Sequence, residues 1–139
     1  MGRILAIDYG KKRTGLAVTD ALRITANPLL TIDTPALVAW VEQYVRKEQV
    51  DTIVVGYPRQ MNGQDSETVP AIRAMEQQLR TKLPHIPVVE YDERFTSVLA
   101  HQAMIAGGMK KKQRQNKAVV DKLAACIILE GYLEQINRL

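Results

Sequence analysis

The run Arg3-Ile4-Leu5-Ala6-Ile7-Asp8 constrains this chain more than any other stretch. Four apolar residues in a row suit a strand covered on both faces, yet the run closes on a carboxylate. Burying an unpaired carboxylate costs several kcal/mol. Asp8 therefore needs a basic side chain, a helix N-terminus or a bound cation, and Arg13 is one structural partner within reach. Gly10-Lys11-Lys12-Arg13-Thr14 reads as a turn and Gly15 to Thr19 resumes the β pattern, which predicts an antiparallel hairpin.

A third extended stretch lies near Ile24 to Ile32, where Asn27-Pro28 predicts a bulge or an edge position because Pro cannot donate to a ladder. Thr34-Pro35 then reads as an N-cap and first-turn pair, followed by Leu37, Val38, Val41, Tyr44 and Val45 at helical spacing. Trp40 flanks that stripe, where packing is the expected role. Thr52 to Val55 is a β-branched strand ending in Gly56-Tyr57-Pro58, and Asn62-Gly63 marks a turn in the polar loop beyond it. Ser66 is positioned to cap a second helix whose Val69, Ile72, Met75 and Leu79 share a face. Pro87 to Tyr91 predicts the fifth strand. Thr96 starts a helix carrying Leu99, Ala103 and Met104 and stopped by Gly107-Gly108. After a basic loop, a last helix begins at about Lys117, with Val120, Leu123, Ala124, Ile127, Ile128 and Leu133 forming a broad apolar surface. The order βββαβαβαα implies an α/β fold. Its mixed five-stranded sheet is a three-stranded antiparallel meander plus two parallel strands, with helices on both faces.

With 139 residues, 46% of them hydrophobic, the chain supports one buried core, so residues 1–139 are read as a single domain. No run approaches the roughly 20 apolar residues that cross a bilayer. The one cysteine, Cys126, cannot form an intramolecular disulfide, suits a reducing cytoplasmic compartment, and reads as a small core residue. His85 and His101 form no paired metal spacing. The net charge of +4 is modest, but it is concentrated. Lys11, Lys12 and Arg13 form one cluster, and Lys110, Lys111, Lys112, Arg114 and Lys117 form another, which makes phosphate-bearing partners plausible.

Two further acids share the awkward setting of Asp8. Glu93 follows the fifth strand directly, and Asp121 sits near the start of the last helix among Val119, Val120 and Leu123. One acid at a helix start can be a simple dipole partner. Three carboxylates at the ends of core elements, with no His or Cys beside them, suit a hard divalent cation that takes oxygen ligands.

Four segments then recur in a familiar order: I-L-A-I-D-Y-G-K-K-R-T-G-L-A-V, V-V-G-Y-P, D-E-R-F-T-S and V-D-K-L-A-A-C-I-I-L. Together they closely resemble the YqgF family, also called RuvX, of ribonuclease H-like Holliday junction resolvases and pre-16S ribosomal RNA nucleases, over essentially the whole chain. The resemblance implies a ribonuclease H-like fold and metal-dependent hydrolysis of nucleic-acid phosphodiesters with Mg2+ (or Mn2+). It places the metal-binding and catalytic carboxylates on Asp8, Glu93 and Asp121, with Arg94 completing the D-E-R motif. Strand alternation separates Asp92 from Glu93, and the resemblance selects Glu93. Related resolvases often carry a second acid one turn after the final-helix aspartate, where this chain has Ala124, which leaves three recognised ligands. Lys11, Lys12, Arg13, Arg94, Lys110, Lys111, Lys112, Arg114 and Lys117 are then expected to steer and neutralise the phosphate backbone of a structured RNA or branched DNA. A monomer or homodimer is expected, with no membrane partner. The Tyr57 to Asp65 loop is a candidate flap.

Two other readings compete. D-Y-G-K-K-R-T-G also resembles the phosphate loop of actin-like and sugar-kinase folds, although those need two lobes around the nucleotide and this chain supplies one. A non-catalytic nucleic-acid-binding module would use the same basic residues, but gains nothing from carboxylates set against phosphates.

Overall fold

The computed structural model describes residues 2–57, 68–92 and 117–137, with side chains from residue 122 onward in the last segment. Five strands, β1 (Arg3–Asp8), β2 (Arg13–Thr19), β3 (Ala26–Asp33), β4 (Val50–Tyr57) and β5 (Val88–Asp92), form one sheet in the order β3-β2-β1-β4-β5. The pairs β1/β2 and β2/β3 are antiparallel, whereas β1/β4 and β4/β5 are parallel. This is the expected meander joined to two parallel strands.

Alternation along β1 explains why its apolar run has no polar break. Leu5 and Ile7 pack with α1 (Leu37–Lys47) and α2 (Val69–Lys82), while Ile4 and Ala6 pack with α3 (Lys117–Asn137) on the other face. A central strand covered on both sides has no polar side to show. Two threonines interrupt the buried apolar set on β2. Thr19 accepts the Ile4 N–H at 2.9 Å, and Thr14 shares a hydrogen bond of 2.9 Å with the Thr34 hydroxyl.

β3 is an edge strand and its register shifts opposite Leu16/Ala17, beside Pro28, as the missing donor requires. Strand limits move by one to a few residues from the sequence reading, with β4 lengthened to Val50–Tyr57 and β5 set at Val88–Asp92.

Two helix starts depart from expectation. Thr34–Ala36 forms a 3-10 turn before α1 opens at Leu37, and the Thr34 side chain caps nothing there because its hydroxyl is committed to the β1–β2 turn. The N-cap of α2 is Thr68, with no side-chain cap bond, and not Ser66. The helix expected from Thr96 to Gly108 lies outside the described residues.

Candidate metal and nucleic-acid site

Asp8 ends β1 opposite Gly15 and continues the Ile4, Ala6 side of the strand, the side closed by α3. It is half-buried. Tyr9, one residue on, turns its ring to the other face, against the α1/α2 core. The turn that follows is held from outside. Thr34 donates its hydroxyl to the Gly10 carbonyl at 2.6 Å, and its N–H bonds the Lys12 carbonyl at 3.0 Å. Gly10 has no room for a side chain, since a Cβ would run into the backbone carbonyl of Arg13. The exposed Lys11 and Lys12 therefore stand on a clamped turn, and half-buried Arg13 opens β2 opposite Asp33. Thr34 is the contributor that sequence reasoning missed. The signal at Thr34-Pro35 was real, but it pointed to a helix cap.

α3 crosses the far face of the sheet from β3 to β5. Cys126 Sγ donates to the Ala26 carbonyl at 3.4 Å, and any Cβ on Gly131 would strike the Tyr91 ring, whose Cε2 lies 3.2 Å from that position. Burial first, then Glu130, pushes the Cys126 thiol up to about 11, so it is an inert core residue as its neighbours suggested. The backbone of Lys117 and Asp121 belongs to the first turns of α3. Asp92 pairs with Tyr57 at the end of β5 and falls on the Val88 and Glu90 side, opposite to Asp8.

Asp8, Lys11, Lys12 and Arg13 are thus brought to one corner of the sheet. Glu93, Arg94, Lys110, Lys111, Lys112 and Arg114 lie outside the described residues, as do residues 58–65 of the expected flap, and so do the side chains of Lys117 and Asp121. Among the described residues no group of three His, Cys, Asp or Glu side chains could hold a metal, and no helix is long and apolar enough to cross a membrane. The donor chemistry at the corner nonetheless fits a hard cation. Asp8 offers carboxylate oxygen on the face covered by the helix that carries Asp121, and among the described residues the thiol on that face, Cys126, is bonded elsewhere, to the Ala26 carbonyl.

Sequence and structure comparisons identify the family and the fold. A family model described as "RuvX: Holliday junction resolvase" matches residues 2–135. A protein of Phocaeicola vulgatus named "Putative pre-16S rRNA nuclease" is 61% identical over 134 residues, covering 96% of each chain. A protein of the same name from Porphyromonas gingivalis is 46% identical over 138 residues, covering 99% of this chain and 100% of its own. Among solved structures, Thermus thermophilus RuvC in complex with a Holliday junction substrate superposes with a TM-score of 0.55 at 20% identity, covering 97% of this chain and 96% of that one. That likeness shows the ribonuclease H-like fold.

Proposed function

Because the chain belongs to the RuvX Holliday junction resolvase family, we propose that it is a divalent-metal-dependent endonuclease that hydrolyses phosphodiester bonds of structured nucleic acid in the cytoplasm, as a single domain. Pre-16S ribosomal RNA is the favoured substrate, since relatives up to 61% identical over nearly their whole length carry that name. A four-way DNA junction is the other arm of the test.

The observation that carries the proposal is the place of Asp8, at the end of the central strand and on the face closed by the Asp121 helix. Asp8, Glu93 and Asp121 would hold the cation, Mg2+ or Mn2+. A divalent cation bound there lowers the pKa of a water ligand and neutralises charge on the phosphate. Hydrolysis would form the bond from a water oxygen to phosphorus and break the bond from phosphorus to the leaving oxygen, with the proton given up by the water balancing the one the leaving oxygen takes up. Lys11 and Lys12, presented by the Thr34-clamped turn, hold the strand by its phosphates beside Asp8. Arg13, Arg94, Lys110, Lys111, Lys112, Arg114 and Lys117 extend that basic track.

The test is cleavage of precursor 16S 5′-end RNA and of a four-way DNA junction by wild type, Asp8→Asn, Glu93→Gln and Asp121→Asn, in Mg2+, in Mn2+ and in chelator. Cleavage is expected from wild type with metal alone, and all four proteins should share one circular dichroism spectrum. A variant with near-normal turnover removes its residue from the ligand set.

A further inference from the structure

On the opposite side of the sheet from Asp8, a pocket of about 400 Å³ opens between α1 and α2 beneath the β1–β2 turn. That volume is typical of a site for one small ligand. Its apolar walls come from Val38 of α1 and from Ala71, Ala74 and Met75 of α2. The two alanines keep it open, because short side chains on α2 leave the space that larger ones would fill. Tyr9 supplies an aromatic ring, and Gln78 supplies an amide able both to donate and to accept. Lys11 is the charged group among the described lining residues, so nothing described in the wall repels an anion.

The position is as informative as the lining. Tyr9 follows Asp8 directly, with Cα atoms about 3.8 Å apart, and Lys11 belongs both to the pocket wall and to the phosphate-facing turn. Asp8 and Tyr9 leave β1 on opposite faces, so Lys11, on the turn just beyond them, is the residue past which a strand held at Asp8 would reach the pocket mouth. Thr34, another wall residue, locks that mouth to the turn through the Gly10 carbonyl. An open groove of mixed polar and apolar lining, with one aromatic ring, one amide and a cation at its entrance, fits a nucleobase. The faces of the base would lie on Tyr9 and the aliphatic walls, and its hydrogen-bonding edge would meet Gln78.

We propose that the α1–α2 pocket holds an unpaired nucleobase of the substrate strand, next to the phosphate cut at Asp8, so that the protein selects sites with a single-stranded flank. This rests on the nuclease reading above. A base inside a duplex cannot enter the pocket without the loss of its stacking, whereas an unpaired one enters at little cost.

The experiment is equilibrium binding of precursor 16S 5′-end RNA by fluorescence anisotropy in chelator, where cleavage plays no part. One abasic residue is moved through the single-stranded flank. In wild type, one abasic position should weaken binding about tenfold, the effect of losing one stacked base. Ala74→Trp fills the pocket from an exposed helix position. It should weaken binding of the intact RNA by a similar factor and become indifferent to the abasic residue. Ala71→Trp serves in its place if melting shows Ala74→Trp to be misfolded. Abasic positions that are all silent, or a filled pocket whose loss multiplies with the abasic loss, would overturn the proposal. If wild type cleaves neither nucleic acid yet shows the abasic effect, the nuclease reading fails and the pocket stands. Normal cleavage with silent abasic positions has the reverse meaning.

Discussion

The two faces of the sheet are packed in different ways: among the described residues one helix lies close against one face, while two helices on the other leave a pocket between them. On the α3 side the contact is made by Ile4, Ala6, Ala17 and Val54 against Ala125, Cys126, Ile128 and Leu129. Ala6, Ala17 and Ala125 thin this contact, and the helix comes so close that a Cβ on Gly131 would strike the Tyr91 side chain. On the α1/α2 side larger aliphatics, Leu5, Ile7, Leu16, Ile53 and Val55, meet Leu37, Val41, Ile72, Met75 and Leu79. Two helices laid over one sheet do not close every gap. That face holds both the 400 Å³ pocket and a buried carboxyl, Glu76, which is 1% exposed. The tight face is the one to which Asp8 belongs, as the proposed metal ligation would demand. The loose face is the one where the proposed base would enter.

The sharpest way to test this division is at neighbouring residues on opposite faces. Asp8→Asn should lower cleavage by more than about 100-fold, because even partners that merely orient a metal ligand are worth about 10- to 100-fold. Its far-UV circular dichroism should match wild type. Pocket filling on the other face should cost only the tenfold of one base. Equal losses on the two faces would dissolve the distinction.

Packing comes next in size. Ala6→Leu adds volume where Ala6 and Ala125 are both fully buried, and should destabilise by about 1–3 kcal/mol. Ile72→Val on the loose face should cost about 0.5–1.5 kcal/mol. Urea denaturation measures both, and an Ala6→Leu protein within error of wild type would show that the α3 face is not tight.

Glu76 offers a pH test of the loose face. Burial and then a hydrogen bond to Glu90 push its carboxyl up from 4.5 to about 7, outweighing the opposite pull of Arg80 and Arg73. A raised folded-state value means that the protonated form is favoured by folding. The stability from this group is therefore complete below about pH 4.5 and is lost as pH rises through about 7, at up to roughly 1.4 kcal/mol per pH unit. Glu76→Gln keeps the shape and removes the titration. From pH 5 to pH 8 wild type should lose stability relative to this variant, and parallel urea midpoints would refute the assignment.

The smallest effect belongs to the turn that joins the two faces. Lys11→Ala and Lys12→Ala should each reduce the slope of log K against log salt by up to about one unit, with no change in melting temperature. An unchanged slope would make either lysine ordinary solvated surface.

What could be read from the chain alone was whatever depends on near neighbours. The unbroken apolar run Ile4 to Ile7 announced a strand covered on both sides. The Asn27-Pro28 pair announced an irregular edge, and the final apolar helix was legible from its start at Lys117. Alternation and helical periodicity are properties of a few consecutive residues, and they survive any tertiary arrangement that buries the right side. The corner at Asp8 was legible for the same reason, since an acid closing an apolar strand is anomalous before any fold is known.

Only the tertiary structure decided the rest. Thr34 carries the signature of a helix cap, and only the return of β3 beside the β1–β2 turn gives its hydroxyl a stronger partner in Gly10. Glu76 follows Met75 and precedes Gln77 with nothing local to mark it. Its burial comes from the α2–β5 seam, and its raised pKa from Glu90. The pocket has no sequence signature at all, because a cavity is the space that distant segments fail to fill. Tyr9, Val38 and Ala74 acquire a common wall only when α1 and α2 are laid on the sheet.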